Sequence, residues 1–187
     1  MKLQAIGVVI LAAVLLPRGI EAQGQDQYVW GVAGGVAITT SDLRDAHPNG
    51  ANATLVFGIG GLGSPVGVRF DFMYNQFEDQ EDGTLQQGKA RITALTGNLV
   101  FNIYGDEKRL YGIIGVGGYG YNPDGAGTRN ANDFGFNAGL GVWLPGLRGT
   151  FIEARYHNFY RALPDQATGE TGKRSAKFVP ITVGFLF

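Results

Sequence analysis

Hydrophobic and polar residues alternate with a period of two along most of this chain, and the pattern runs to the last residue. Val179, Ile181, Val183, Phe185 and Phe187 form one set, with Pro180, Thr182, Gly184 and Leu186 between them. That is the signature of a strand with one apolar face. Seven more such segments precede it. They cover roughly Tyr28–Thr39, Thr54–Leu62, Val66–Phe77, Ala90–Tyr104, Leu110–Tyr121, Asp133–Leu144 and Thr150–Tyr160, and the last is Lys177–Phe187. None carries a sustained helical period. The connections alternate. Those at 63–65, 105–109 and 145–149 are short, and those at 40–53, 78–89, 122–132 and 162–176 are long and rich in Asp, Asn, Gly and Gln.

The two faces differ in chemistry. Val66, Val68, Phe70, Phe72 and Tyr74 oppose Arg69, Asp71 and Asn75 in the third segment. Ile152, Ala154 and Tyr156 oppose Glu153, Arg155 and His157 in the seventh. Leu95, Leu99, Phe101 and Ile103 oppose Thr96, Asn98 and Asn102 in the fourth. A narrow eight-stranded interior has little room for that many Phe, Leu and Ile side chains, but it accepts small and polar ones. The bulky face is therefore expected outside, against lipid. An Arg turned to lipid at the midplane costs roughly 2–4 kcal/mol, so Arg69 and Arg155 are expected to face the lumen. The pattern predicts an all-β protein, an eight-stranded antiparallel up-and-down transmembrane β-barrel. An even strand count puts both termini on the short-turn side, where the first and last strands pair and remove the sheet edge.

Lys2 followed by the apolar run Ala5–Leu16, ended by Pro17 with Ala22 at a cleavage position, reads as a secretory signal peptide over residues 1–22. The run is too short for a membrane helix. Residues 23–187 are then one barrel domain. The chain has no cysteine, which excludes a disulfide framework, a thiolate metal site and a lipoprotein anchor. Without Lys2, Arg18 and Glu21, 13 basic and 15 acidic residues remain, a balance that argues against nucleic acid as a partner. Glycine is the compositional outlier, 31 of 187 against a usual share of about 7%. Spread through apolar segments, it suits tightly curved strands.

Tyr28, Trp30, Tyr104, Tyr111 and Trp143, with Phe187, lie beside termini or short turns and are expected in an interfacial aromatic girdle. Tyr74, Phe77, Tyr121, Phe134 and Tyr160 lie beside the long loops as a second girdle. Pro180 removes a ladder hydrogen bond and is expected at a bulge. The lumen is expected to hold a charge network of Arg69, Asp71, Glu153, Arg155 and His157, with Arg69 set against Glu153 and Asp71 against Arg155.

Other motifs weigh little. Gly58-Ile-Gly60-Gly61-Leu-Gly63 and Gly115-Val-Gly117-Gly118-Tyr-Gly120 mimic a dinucleotide fingerprint, but neither opens a helix, so they read as curvature glycines. The acidic stretch 78–82 lacks calcium-loop spacing and reads as a solvated loop. His157 is followed by Asn158 and Phe159, not by the His-x-Ser pair of lipid A deacylases, and nothing in the sequence ties Ser175 to it. His47 sits beside Pro48 in a loop. No catalytic residue, cofactor or metal is assigned.

The leader, the eight segments, Phe151-Ile152-Glu153-Ala154-Arg155-Tyr156-His157 and the ending Ile181-Thr182-Val183-Gly184-Phe185-Leu186-Phe187 together resemble the small bacterial outer-membrane β-barrels of the OmpA/OmpX type. The resemblance implies a Gram-negative outer-membrane location and a monomer among outer-membrane lipid and lipopolysaccharide. Its role would be structural or surface-interacting, with a filled lumen and exposed long loops. A ligand-binding or adhesion barrel, a lipid-modifying enzyme and a soluble carrier are the alternatives. Phe185 and Phe187 match the terminal signal that barrel-assembly machinery reads. The chain departs from the full-length OmpA pattern by stopping at the last strand, without a peptidoglycan-binding domain, so a wall-anchoring role is not expected.

Overall fold

The computed structural model describes residues 28–40, 49–59, 65–78, 89–103, 110–123, 131–147, 149–164 and 171–187. The predicted signal peptide, Tyr104 and His47 lie outside them. Eight strands follow one another: β1 (Tyr28–Thr40), β2 (Asn49–Ile59), β3 (Val66–Phe77), β4 (Ala90–Asn102), β5 (Leu110–Pro123), β6 (Ala131–Trp143), β7 (Thr150–Pro164) and β8 (Thr171–Leu186). Each pairs antiparallel with its sequence neighbour, and β1 pairs with β8 to close the barrel. At the seam Trp30 and Phe187 exchange both backbone hydrogen bonds, at 3.0 and 2.7 Å. The up-and-down eight-stranded barrel read from the alternation is the fold.

The closure is staggered. Following paired residues round the wall gives Trp30, Phe57, Phe70, Gly97, Val116, Phe136, Asn158, Lys177 and then Thr40. The path returns to β1 ten residues above its start, from 30 to 40. Such a shear tilts strands by about 35–45° in a barrel of this size. One row of neighbours therefore climbs from the short-turn end at Trp30 to the loop end at Lys177.

Alternation sets the faces as expected. Leu55, Phe72, Leu95, Val116, Phe134, Leu140 and Val183 point outward and are at least half exposed. Arg69, Asp71, Asn98, Asn137, Glu153, Arg155 and His157 point inward and are buried. A soluble barrel has the opposite polarity.

The boundaries depart from the sequence reading on the loop side. β2 begins at Asn49, not near Thr54, β7 runs to Pro164, and β8 begins at Thr171 rather than Lys177. These stretches lack an apolar alternation: in Asn49–Ala53 the inward positions are Gly50 and the buried Asn52 rather than apolar side chains. Backbone pairing carries them, as in Ile38↔Asn49 and Pro164↔Thr171. Much of what reads as long loop is strand. Pro180 makes no bulge. β7 and β8 keep one register on both sides of it, Ala154↔Ile181 and His157↔Phe178, and only the two pairs between are missing. The ladder opens locally and the count of residues stays equal.

Glycine's abundance has a steric reason beyond curvature. A Cβ on Gly141 would fall inside the Tyr111 ring, and one on Gly184 inside the Phe151 ring. Inward glycines make the space that the large lumen side chains occupy.

Candidate functional site: a sealed charge ring in the lumen

Arg69 and Asp71 come from β3, and Glu153 and Arg155 from β7, on the opposite wall. In each strand the i, i+2 spacing puts both charges on the lumen face. Arg69 Nη2 donates to Glu153 Oε1 at 2.8 Å, and Arg155 Nη1 to Asp71 Oδ2 at 2.6 Å, across the barrel. Along the strands Arg69 Nε lies 3.0 Å from Asp71 Oδ1, and Arg155 Nε 3.0 Å from Glu153 Oε1, with Arg155 Nη2 also on that oxygen. The four charges form a closed ring of alternating sign and zero net charge, with each residue no more than 5% exposed. Strand parity turns all four inward, and the register brings them to one height.

Neutral groups complete the ring. Tyr111 Oη donates to Glu153 Oε2 at 2.8 Å, and Asn98 Nδ2 donates to Asp71 Oδ2 at 3.1 Å. Asn137 Nδ2 then donates to Asn98 Oδ1 at 3.0 Å. A polar chain from the side joins Asn52 to Asn75 (2.7 Å) and Asn75 to the Ile92 carbonyl (3.3 Å). Buried ions are tolerated only when their remaining donors and acceptors are satisfied in this way.

Apolar layers close both ends. Toward the short turns Val56, Val100, Tyr111, Ile113, Phe151 and Leu186 pack together, with Trp143 against them. Toward the loops Met73, Phe77, Ile92, Tyr119, Phe159 and Phe178 fill the section. Between the layers a cavity of about 10 Å³ touches Arg69, Asp71, Glu153, Arg155 and His157. A second of about 40 Å³ lies at the short-turn end beside Arg69, Asn102 and Trp143. Spaces of this size hold one or a few waters and no solute.

His157 belongs to the loop-side layer rather than to the ring. Its Nδ1 is 2.9 Å from Tyr119 Oη, its ring stacks on Phe178 at 4.9 Å, and Nε2 has no partner. Ser175 is on the other side of the wall, donating to Asn158 Oδ1 at 2.5 Å. Strand parity thus keeps His157 and Ser175 apart, and the two do not form a nucleophile–base pair. Among the described residues no group of three His, Cys, Asp or Glu could hold a metal ion.

The aromatic expectations need correction. Tyr28, Trp30 and Phe187 point outward, each at least 58% exposed. Tyr111 and Trp143 do not. Both occupy inward positions of their strands, Tyr111 fully buried against Glu153, and Trp143 packed at a tilt against the Tyr111 ring with Nε1 donating to Asn102 Oδ1 at 3.1 Å. At the loop end Phe77 and Tyr121 also turn inward, while Tyr74, Phe134 and Tyr160 face out. Nearness to a turn suggested a girdle, but parity with Ile114 and Leu140 already placed Tyr111 and Trp143 on the lumen face. Tyr119 and Asn98, central to the lumen, were legible only through the same parity.

A closed eight-stranded antiparallel barrel has known counterparts. The N-terminal β-barrel domain of OprF from Pseudomonas aeruginosa superposes with a TM-score of 0.54 at 16% identity, over 88% of this chain and 100% of that one. The attachment invasion locus protein Ail of Yersinia pestis gives 0.52 at 19% identity, over 86% of this chain and 99% of its own. The chain has the fold of these eight-stranded outer-membrane barrels. No family profile and no curated protein matches it by sequence. At such identities the likeness is one of architecture, and the lumen contacts above stand on this chain's own residues.

Proposed function

We propose that this protein is an integral outer-membrane barrel whose lumen is a structural core and whose work is done on its outer wall and loop-side surface. The observation that carries the reading is the inverted polarity: a charge ring sealed inside two apolar layers, within a wall of exposed Phe, Leu, Ile and Val. Water does not solvate such a wall, whereas hydrocarbon does, and every strand in a closed barrel has its backbone paired. The fold shared with the OprF and Ail barrels supports the same location. The sealed section argues against a solute channel and against a carrier with an apolar cavity. In the test, the protein should fractionate with outer membranes and migrate faster unboiled than boiled on a denaturing gel. In planar bilayers it should give little or no steady conductance. A soluble, heat-insensitive product would refute the membrane reading, and a large steady pore would refute the sealed lumen.

A surface-binding reading is favoured by one backbone feature. Beyond Thr40↔Lys177 and Gly135↔Phe159, residues 160–164 of β7 and 171–176 of β8 pair only with each other among the described residues. This two-stranded ribbon extends beyond the eight-stranded ladder, the kind of element that extended partners pair with. Deleting residues 162–174 should abolish binding to a partner surface while leaving heat-modifiable migration intact.

A further inference from the structure

Pro180 is buried on the lumen face of β8, at a position where a strand residue normally donates a hydrogen bond to its neighbour. Leu186 donates its N–H to the Gly149 carbonyl at 2.8 Å, so these two residues form a hydrogen-bonded pair. Such pairs recur at every second residue of an antiparallel ladder. The register continues through Phe151↔Gly184 and Glu153↔Thr182, and the next position of the same kind sets Arg155 opposite Pro180. Proline has no N–H, so the Arg155 carbonyl lacks its ladder donor. The other flank loses nothing. Trp30 and Phe187 exchange both backbone bonds, and the same alternation makes Ala37↔Pro180 a pair that forms none. The gap is thus one carbonyl, in a wall whose outer side meets hydrocarbon and no donor.

The cavity between the charge ring and the loop-side layer reaches this gap. Pro180 and Arg155 both line it, together with His157 and Asp71. Two more polar atoms on these residues lack a partner. His157 is 1% exposed, and its Nε2 bonds to nothing, while Nδ1 is held by Tyr119 Oη at 2.9 Å. Asp71 Oδ1 lies 3.0 Å from Arg69 Nε, but that N–H is aimed at Oδ2, and Oδ1 accepts no hydrogen bond. The cavity volume of about 10 Å³ suits one water molecule. Two guanidinium groups and two carboxylates line it and cancel, so its charge does not favour an ion over a neutral guest.

We propose that this cavity is a binding site for a single water molecule that takes the place of the ladder donor Pro180 lacks. The water accepts from His157 Nε2–H and gives its two protons to Asp71 Oδ1 and the Arg155 carbonyl. Tyr119 then donates to Nδ1. Three partners are the usual complement of a buried water. The site ties the loop-side layer, through Tyr119 and His157, to the charge ring, and it lets β8 keep its register across a proline. It rests on the sealed lumen above, and the experiment separates the two.

The full barrel, isotope-labelled at histidine and arginine, is placed in phosphatidylcholine nanodiscs and read by NMR. His47→Gln leaves a single histidine signal. That background should show the Nε2–H tautomer of His157, with a cross peak from this proton to a slowly exchanging water. Pro180→Val supplies an N–H opposite Arg155. A protected amide should then appear at position 180, the Arg155 carbonyl resonance should shift, and the water should leave about fivefold faster, the loss expected for one neutral hydrogen bond. Pro180→Ala should do the same without the bulk of valine. The Nδ1–H tautomer, or no water contact at Nε2–H, would overturn the site. An unchanged residence time in both Pro180 variants would overturn its role in the wall. Fast-exchanging water at Asn98 and Asn137 as well would instead refute the sealed lumen, and this site with it.

Discussion

Arg69 on β3 and Glu153 on β7 meet across the full width of the barrel, Nη2 to Oε1 at 2.8 Å, though 84 positions separate them in the chain. Both side chains are buried, each about 4% exposed. Glu153 also receives Arg155 and Tyr111, and Arg69 also holds Asp71, so removing one member strands several partners at once.

The first prediction concerns that pair. Glu153→Ala should destabilise the folded barrel by about 3–5 kcal/mol, because it leaves two guanidinium groups buried with one carboxylate between them. Adding Arg69→Ala should recover part of the loss, since the remaining Asp71 and Arg155 are then balanced and 2.6 Å apart. A double-mutant cycle in urea with lipid vesicles reads the coupling. Independent, additive effects would contradict the ring.

A second prediction uses the contact between Gly141 and Tyr111. Gly141→Ala should destabilise by about 1–3 kcal/mol, the usual cost of overpacking, because the new methyl falls within the space of the phenol ring. Tyr111 cannot retreat without giving up Glu153 and the Trp143 ring contact, 4.9 Å between centroids. In a Tyr111→Ala background the same change should cost little. Equal cost in both backgrounds would show that the strain lies elsewhere.

Topology supplies a third. The absence of cysteine makes single-cysteine scanning direct. Cysteines replacing Asp82 and Gly169 should react with an impermeant thiol reagent on whole cells. Those replacing Glu107 and Gly146 should react only after the cells are opened. The reverse pattern would invert the orientation.

The last concerns assembly. Phe187 points outward at the seam, stacked near Phe185 at 6.2 Å, and its backbone closes the barrel through Trp30. Phe187→Ser should reduce the yield of inserted, protease-resistant barrel in cells. It should have a smaller effect on refolding in vesicles, where no assembly machinery acts. Unchanged cellular yield would remove Phe185 and Phe187 as an assembly signal.

The period-two pattern determined by itself the strand count, the order of connections and which face each residue takes, because a β-strand offers only two faces and one cannot carry charge into lipid. That is why Arg69, Asp71, Glu153, Arg155 and His157 were legible as lumen residues, and why parity was a better guide for Tyr111 and Trp143 than their distance from a turn. Closure decided the rest. The climb from Trp30 to Thr40 sets which residues share a level, so it is the register that brings β3 and β7 side chains together at the same height. It also puts His157 with Tyr119 and Phe178 above the ring rather than in it. The strand extensions at Asn49–Ala53 and Thr171–Ala176 were invisible in the sequence for a related reason. They are held by backbone hydrogen bonds to a neighbour, an interaction that leaves no mark on side-chain pattern.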